Sequence, residues 1–143
     1  MGDVYNLQRF LTAQAPTYDT VLAELRAGRK SSHWIWFIFP QIAGLGRSSM
    51  AQQFAIASLD EAKAYLQHPV LGQRLQECAQ LVLDLNGPSA EEIFSYPDNL
   101  KFRSCMTLFL TASTDNTLFQ NALLKYFDGK PDTRTLNILA QDK

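Results

Sequence analysis

The sequence predicts an all-α fold, a compact single-domain multihelical array of about seven to eight short helices with at most one strand. Apolar residues recur at i, i+3, i+4 and i+7 in several segments, for example in residues 18–25, and this is the spacing of one helix face. Ser58-Leu-Asp-Glu61 and Ser89-Ala-Glu-Glu92 have the spacing of capping boxes, which satisfy backbone N–H groups where a helix begins. No stretch alternates apolar and polar residues for long enough to build a sheet.

In the first half of the chain, glycine, proline and serine mark the expected helix ends. Gly28 is expected to end the second helix, and Ser48 or Ser49 to cap the third. Pro69 suits the first position of a long amphipathic helix. The expected helices cover residues 5–12, 18–28, 48–56, 58–67 and 69–85.

In the second half, a brief helix through Phe94 is followed by a break at Tyr96-Pro97. Asp98 is expected to cap the next helix, and Thr133 to cap the last one. The expected helices cover residues 89–94, 98–112, 117–127 and 133–139.

The aromatic segment, residues 34–39, is the most unusual stretch of the chain. It contains both tryptophans and two of the nine phenylalanines within six consecutive apolar residues. A strand here would be apolar on both faces and a helix apolar all round, so the segment must be surrounded by protein. A run this short is ambiguous by periodicity, and both helix and strand stay open.

Composition narrows the function classes. The chain has 143 residues, 46% of them apolar and 19% charged, with a net charge of -1 and no basic stripe. These values argue against nucleic acid and against a membrane surface as partners. The polar N-terminus contains no signal peptide, and Cys78 and Cys105 are too few for a disulfide framework, so we expect a cytoplasmic protein.

Polar residues flank the aromatic segment in the way expected of a binding pocket. In this interpretation the ring of Trp34 or Trp36 stacks on a planar group of the ligand. Residues on either side of the segment orient polar or anionic atoms of the ligand. The expected ligand-binding residues are Lys30, His33, Trp34, Trp36, Gln41, Arg47, Asp98, Lys101 and Ser104.

The histidines are the natural acid–base groups near neutral pH. His33 adjoins the aromatic segment and is the candidate catalytic residue, whereas His68 precedes a proline at a helix junction, where capping or packing is the commoner role. Without a His-x-x-x-His spacing or a cysteine pair, the sequence indicates no metal site, and it implies no cofactor.

Two further features leave alternatives open. The helix after Asp98 carries a stripe of Lys101, Ser104, Thr107 and Thr111, which is either a half-buried hydrogen-bonding wall or an ordinary face toward solvent or a neighbouring helix. The Gly44-Leu-Gly46 loop either presents amides to an anion or forms a tight turn. Cys105 lies on the apolar side of its helix and is expected to be an inert core thiol.

Several motifs resemble one known family. They are Lys30-x-x-His-Trp-x-Trp-Phe-x-Phe-Pro-Gln41, Gly44-Leu-Gly-x-Ser48, Glu61-Ala-x-Ala-Tyr-Leu-x-His-Pro-Val-Leu-Gly72 and Lys101-x-Arg-Ser-x-Met-Thr-Leu-Phe109. Together they resemble the domain-of-unknown-function family eighteen-ten over nearly the whole chain. The resemblance implies a mainly helical single domain and no particular activity. Some relatives carry a calpastatin-like label, but nothing in these residues supports calpain inhibition.

Two functions from different classes follow from these observations. The first is a small-molecule or nucleotide-like binding pocket beside residues 33–41, which in one form of the hypothesis belongs to a hydrolase. The second is a non-catalytic protein–protein interaction module in which the aromatic segment is only core; its partner is unknown. The pocket hypothesis requires His33, Gln41 and at least one of Arg47, Lys101 or Ser104 to line one concave site.

Overall fold

A computed structural model describes residues 3–141, so the first two residues, which enter the signal-peptide prediction, and the last two lie outside it. Within that range the chain forms helices and no strand, which confirms the all-α prediction. The described residues contain no helix long and apolar enough to cross a bilayer. In chain order the ten helices are α1 (Gln8–Gln14), α2 (Tyr18–Ala27), α3 (Ile35–Ile38), α4 (Ser49–Gln53), α5 (Leu59–Gln67), α6 (Leu71–Asp84), α7 (Ala90–Phe94), α8 (Asp98–Ala112), α9 (Thr117–Phe127) and α10 (Thr133–Gln141).

Most helix ends follow the signals in the sequence. Ser58 and Ser89 accept hydrogen bonds from the backbone N–H groups three residues on, and Ser48 caps α4 in the same way. Gly28 ends α2 in the left-handed conformation at a φ of 79°. Asp128 adopts the same conformation after α9.

Four predictions about helix starts were wrong, three of them because another side chain takes the capping role. Asp3 accepts from Leu7 N and Gln8 N, so the first helix begins later than residue 5. His68 Nδ1 accepts from the amides of residues 70 and 71, which places Pro69 before α6 rather than in it. The carboxylate of Asp132 accepts from Thr135 N, so this residue rather than Thr133 caps α10. Asp98 is the first residue of α8, and its side chain caps nothing.

The aromatic segment forms a single helical turn, α3, at the centre of the core. Five of its six side chains are buried, and Trp36 alone is partly exposed. The Phe39 ring lies edge-on to Phe102 with the ring centroids 4.9 Å apart, and edge-on to Phe94 at 5.9 Å. This segment therefore joins α7 and α8 to the N-terminal helices through ring contacts.

A parallel β-bridge follows the aromatic segment and pairs Ile42 with Ile56. Ala43 N donates to Ile56 O and Ile56 N donates to Gln41 O, both at 2.8 Å. Ile56 was predicted to continue the helix capped by Ser48, but α4 ends at residue 53 and Ile56 pairs with the loop instead. The bridge fixes residues 41–43 beside the end of α4.

Gly72 allows α5 and α6 to meet closely, and we predict that Gly72→Ala destabilises the fold. An added Cβ would lie 2.0 Å from the backbone oxygen of Leu66. Overpacking costs about 1–3 kcal/mol and occasionally more, whereas replacing a helical glycine by alanine gains at most about 1 kcal/mol. We therefore expect the free energy of unfolding to fall by about 1–3 kcal/mol in urea denaturation. Gln73→Ala, one residue on and exposed, should change it by less than about 0.5 kcal/mol. A Gly72→Ala variant as stable as the wild type would contradict the close approach.

Candidate functional site

A small cavity lies beside the aromatic segment, between α3, the loop after it and α4. Its volume is about 190 Å³. An apolar protein cavity of about 150 Å³ holds benzene, so this one is large enough for a single ring or a small fused ring. The lining residues are Trp36, Gln41, Ile42, Ala43, Gly44, Gly46, Ala51, Gln52, Phe54 and Ala55.

The walls of the cavity are held by contacts with the rest of the fold. The β-bridge positions residues 41–43, and Phe54 packs on Phe37 with the ring centroids 5.3 Å apart. A Cβ added at Gly46 would lie 2.5 Å from the Ala51 side chain, so only glycine lets the loop approach α4 this closely. Helix α10 supports the loop from outside, since Ile138 lies in contact range of Gly44.

Trp36 contributes the one buried polar group of the lining that lacks a partner. Its indole Nε1 is inaccessible to solvent and has no hydrogen-bond acceptor among residues 3–141. The Gln41 side chain makes no hydrogen bond to the described residues, and Gln52 Nε2 donates to Arg47 O at 3.0 Å, which leaves its carbonyl oxygen available. The lining therefore contains two amides and a tryptophan whose buried N–H has no partner, and none of the ten lining residues is ionisable.

A charged cluster of Lys30, Asp98 and Lys101 lies next to the two tryptophans; we call it the lysine cluster. Asp98 Oδ2 is 2.8 Å from Lys30 Nζ, and Oδ1 is 3.3 Å from Lys101 Nζ. Lys30 Nζ lies 5.2 Å from the Trp34 ring centroid, and Lys101 Nζ lies 5.1 Å from that of Trp36. The cluster ties the aromatic segment to α8, and it explains why Asp98 caps no helix.

Trp34 is core rather than a stacking platform for a ligand. It is 1% exposed, and its indole N–H donates to Glu24 Oε1 at 2.9 Å. The Glu24 carboxylate also accepts from Ser31 N, Ser32 N and Ser32 Oγ. Burial by itself raises the pKa of Glu24, but these hydrogen bonds outweigh it and lower the pKa to about 2.

Three other expected site residues lie outside the cavity lining. His33 is exposed, and its imidazole has no hydrogen-bond partner in the described part of the chain, so nothing orients it for catalysis. Arg47 is exposed and contributes only its backbone oxygen, to Gln52. Ser104 Oγ is bonded to Leu100 O and to Asp132 Oδ2, at 2.9 Å from the carboxylate.

The polar stripe of α8 faces a neighbouring helix, which was one of the alternatives left open. Ser104 and Thr107 are buried, and Thr107 Oγ1 accepts from Asp132 N at 2.8 Å. Asp132 in turn caps α10. The hydroxyl groups of Ser104 and Thr107 therefore attach α10 to α8, whereas exposed Thr111 donates to Thr107 O in its own helix.

The remaining titratable groups do not assemble a reactive centre. No group of three or more His, Cys, Asp or Glu side chains in residues 3–141 is placed to hold a metal ion. Both cysteines are buried and free, and burial raises the pKa of the Cys78 thiol to about 12 and that of Cys105 well above its usual value. These thiols stay protonated and unreactive near neutral pH.

A larger groove of about 720 Å³ runs between α5, α6 and the turn before α9. It is more open than the cavity, and its lining contains no buried polar atom without a partner among the described residues. The cavity beside Trp36 is therefore the stronger candidate site.

Sequence reasoning missed several residues that build this region. Gln52 and Phe54 were assigned only to a predicted helix, and the role of Glu24 was not recognised. The position of Gln52 just after the glycine loop could have indicated that it belongs to the site. Glu24 carries no such signal, since its partners are seven to ten residues away along the chain.

The fold defines the chain as an all-α protein, and comparison identifies its family. The chain belongs to the family described as "Protein of unknown function (DUF1810)", which it matches over residues 4–139, and this confirms the resemblance in its motifs. It is similar to the conserved hypothetical protein Rv1873 from Mycobacterium tuberculosis, known from a crystal structure. The two share 54% sequence identity with a TM-score of 0.96, over 96% of this chain and 99% of that one. Comparison with the curated proteins finds no match.

We predict that Glu24→Gln weakens the fold in a pH-dependent way. At pH 7 the loss of the negative charge should lower the free energy of unfolding by about 1.5–3 kcal/mol, the range for hydrogen bonds to charged groups. Because the pKa of Glu24 falls from 4.5 to about 2 on folding, its contribution is complete above pH 4.5 and disappears as the pH falls toward 2. The difference between wild type and variant in urea denaturation should shrink across that interval.

Glu91→Gln is the matched control for this prediction, because Glu91 is exposed at the start of α7 and no side-chain hydrogen bond holds it. We expect it to change the free energy of unfolding by less than about 0.5 kcal/mol. If the effect of Glu24→Gln on the free energy of unfolding does not vary with pH, the lowered pKa assigned to Glu24 is contradicted.

Proposed function

We propose that the protein binds a small neutral ring compound in the cavity beside Trp36. The observation that carries this proposal is the buried, unpartnered indole N–H of a residue that lines a cavity of about 190 Å³. A buried donor without an acceptor costs about 1–3 kcal/mol. If the indole turns its N–H toward the cavity, a ligand oxygen or nitrogen that accepts from Trp36 Nε1 recovers this energy on binding.

The chemistry of the lining favours a polar but uncharged ring in the cavity. Gln41 and Gln52 supply amides that both donate and accept, the property that lets such side chains recognise the edge of a nucleobase. Phe54 and the small residues of the loop provide apolar surface for a ring. An ionised group enclosed by this lining would have no charge partner, which is costly.

The same lining favours binding over catalysis. General acid–base catalysis needs a titratable group within hydrogen-bond reach of the reacting atoms, and the cavity lining contains none. His33, the residue expected to serve this purpose, is exposed and lies outside the lining. We therefore propose a binding function and not hydrolysis.

The proposal predicts that uracil, nicotinamide or adenine raises the melting temperature of the protein, because a ligand that binds only the folded state stabilises it. Trp36→Phe keeps a ring but removes the N–H, so the dissociation constant of the active compound should rise about two- to tenfold. Ala51→Leu should abolish binding because the larger side chain fills the cavity. Thermal shift finds the active compound, and isothermal titration calorimetry measures its affinity.

Ala23→Leu is the matched control, since it adds the same atoms to an exposed position of α2. It should bind the active compound as the wild type does. If none of the three compounds binds, or if Ala51→Leu binds normally, the proposal is overturned, and the non-catalytic interaction module becomes the better explanation of the fold.

A further inference from the structure

We infer that the ligand also carries an anionic group, and that the ammonium group of Lys101 binds it beside the cavity. The inference rests on the proposed function and names the ligand class more closely. The ligand is a neutral ring joined by a short linker to a phosphate or carboxylate, the arrangement found in a nucleoside monophosphate.

Position is the first argument. Lys101 Nζ lies 5.1 Å from the centroid of the Trp36 ring, and that ring is part of the cavity wall. The ammonium thus lies beside a side chain that lines the cavity. An acidic group attached to a ring in the cavity through a few bonds can reach it.

Charge is the second argument. The lysine cluster contains two ammonium groups and one carboxylate, so its net charge is +1 (2 − 1 = 1). Asp98 contributes one oxygen to each lysine, and an ammonium has three donors. Both lysines therefore retain donors for a second anion.

Accessibility distinguishes the two lysines. The Lys30 side chain is 6% exposed, and the Asp98 carboxylate, 2.8 Å away, balances its charge. The Lys101 side chain is 25% exposed and lies farther from the carboxylate, at 3.3 Å. Lys101 is therefore the group that an incoming anion meets.

The division of the site into two parts also explains its composition. The cavity lining is neutral and the excess positive charge lies outside it, beside Trp36. A ligand with a neutral ring and an acidic substituent matches both parts, whereas a fully neutral or a compact anionic ligand matches only one.

The test compares each neutral base with its monophosphate on the same protein by isothermal titration calorimetry. The probes are adenine with adenosine 5′-monophosphate, and uracil with uridine 5′-monophosphate. We expect at least one monophosphate to bind the wild type about tenfold or more tightly than its base, the gain from one charge-assisted hydrogen bond. The gain should decrease as the salt concentration rises.

Lys101→Met keeps an unbranched apolar chain over Trp36 and removes the charge. In this variant the monophosphate should bind no more than about threefold more tightly than the base. Lys101→Arg should restore most of the preference, because the charge is kept. Lys63→Met removes an exposed lysine of α5 outside the cavity lining and should leave the preference unchanged.

The outcomes separate this inference from the proposed function. If a base binds the wild type and its monophosphate binds no more tightly, the inference is overturned and the proposed function stands. The same holds if the monophosphate preference survives in Lys101→Met. If neither bases nor monophosphates bind, the proposed function and the inference both fall. The comparison of base with monophosphate uses only the wild-type protein. The inference therefore remains testable even if a Lys101 variant folds poorly.

Discussion

Six consecutive apolar residues that form one helical turn must be covered on every side, and this requirement organises the fold. A turn of helix points side chains in all directions, so no single neighbouring helix is able to bury the aromatic segment. Phe39 contacts the rings of Phe94 and Phe102, while Phe37 contacts Phe54 on the other side. Short helices before and after the segment in the chain therefore converge on it, and ring contacts connect the segment to them.

Covering this segment also buries polar groups, and the structure pairs nearly all of them. The carboxylate of Glu24 satisfies Trp34 and the two serines before it, and Asp98 satisfies Lys30. Such pairing is expected, because an unpaired polar group in a protein interior costs more than a hydrogen bond returns. The indole N–H of Trp36 departs from this rule, and it does so beside a cavity. That coincidence is what distinguishes Trp36 from the other large side chains of the core.

Much of the helical architecture followed from local signals in the sequence. Ser58 and Ser89 began helices where their spacing to a glutamate predicted, and α9 covers the predicted residues 117–127. The errors arose where a side chain from outside the helix took the capping role, as Asp132 did for α10. The β-bridge at Ile56 had no local signal, since its partner lies fourteen residues earlier in the chain (56 − 42 = 14).

The sequence by itself determined that the aromatic segment is buried and that polar residues flank it, because both follow from the residue types and their order. It did not determine which flanking groups face inward. His33 and Gln41 both border the segment, yet only Gln41 lines the cavity, and Lys30 pairs with a carboxylate sixty-eight residues away (98 − 30 = 68). The direction of a side chain beyond a helix end depends on the loop that follows, and that loop is positioned here by the bridge and by α10. Only the tertiary structure brings those elements together, so only the tertiary structure decided where the site lies.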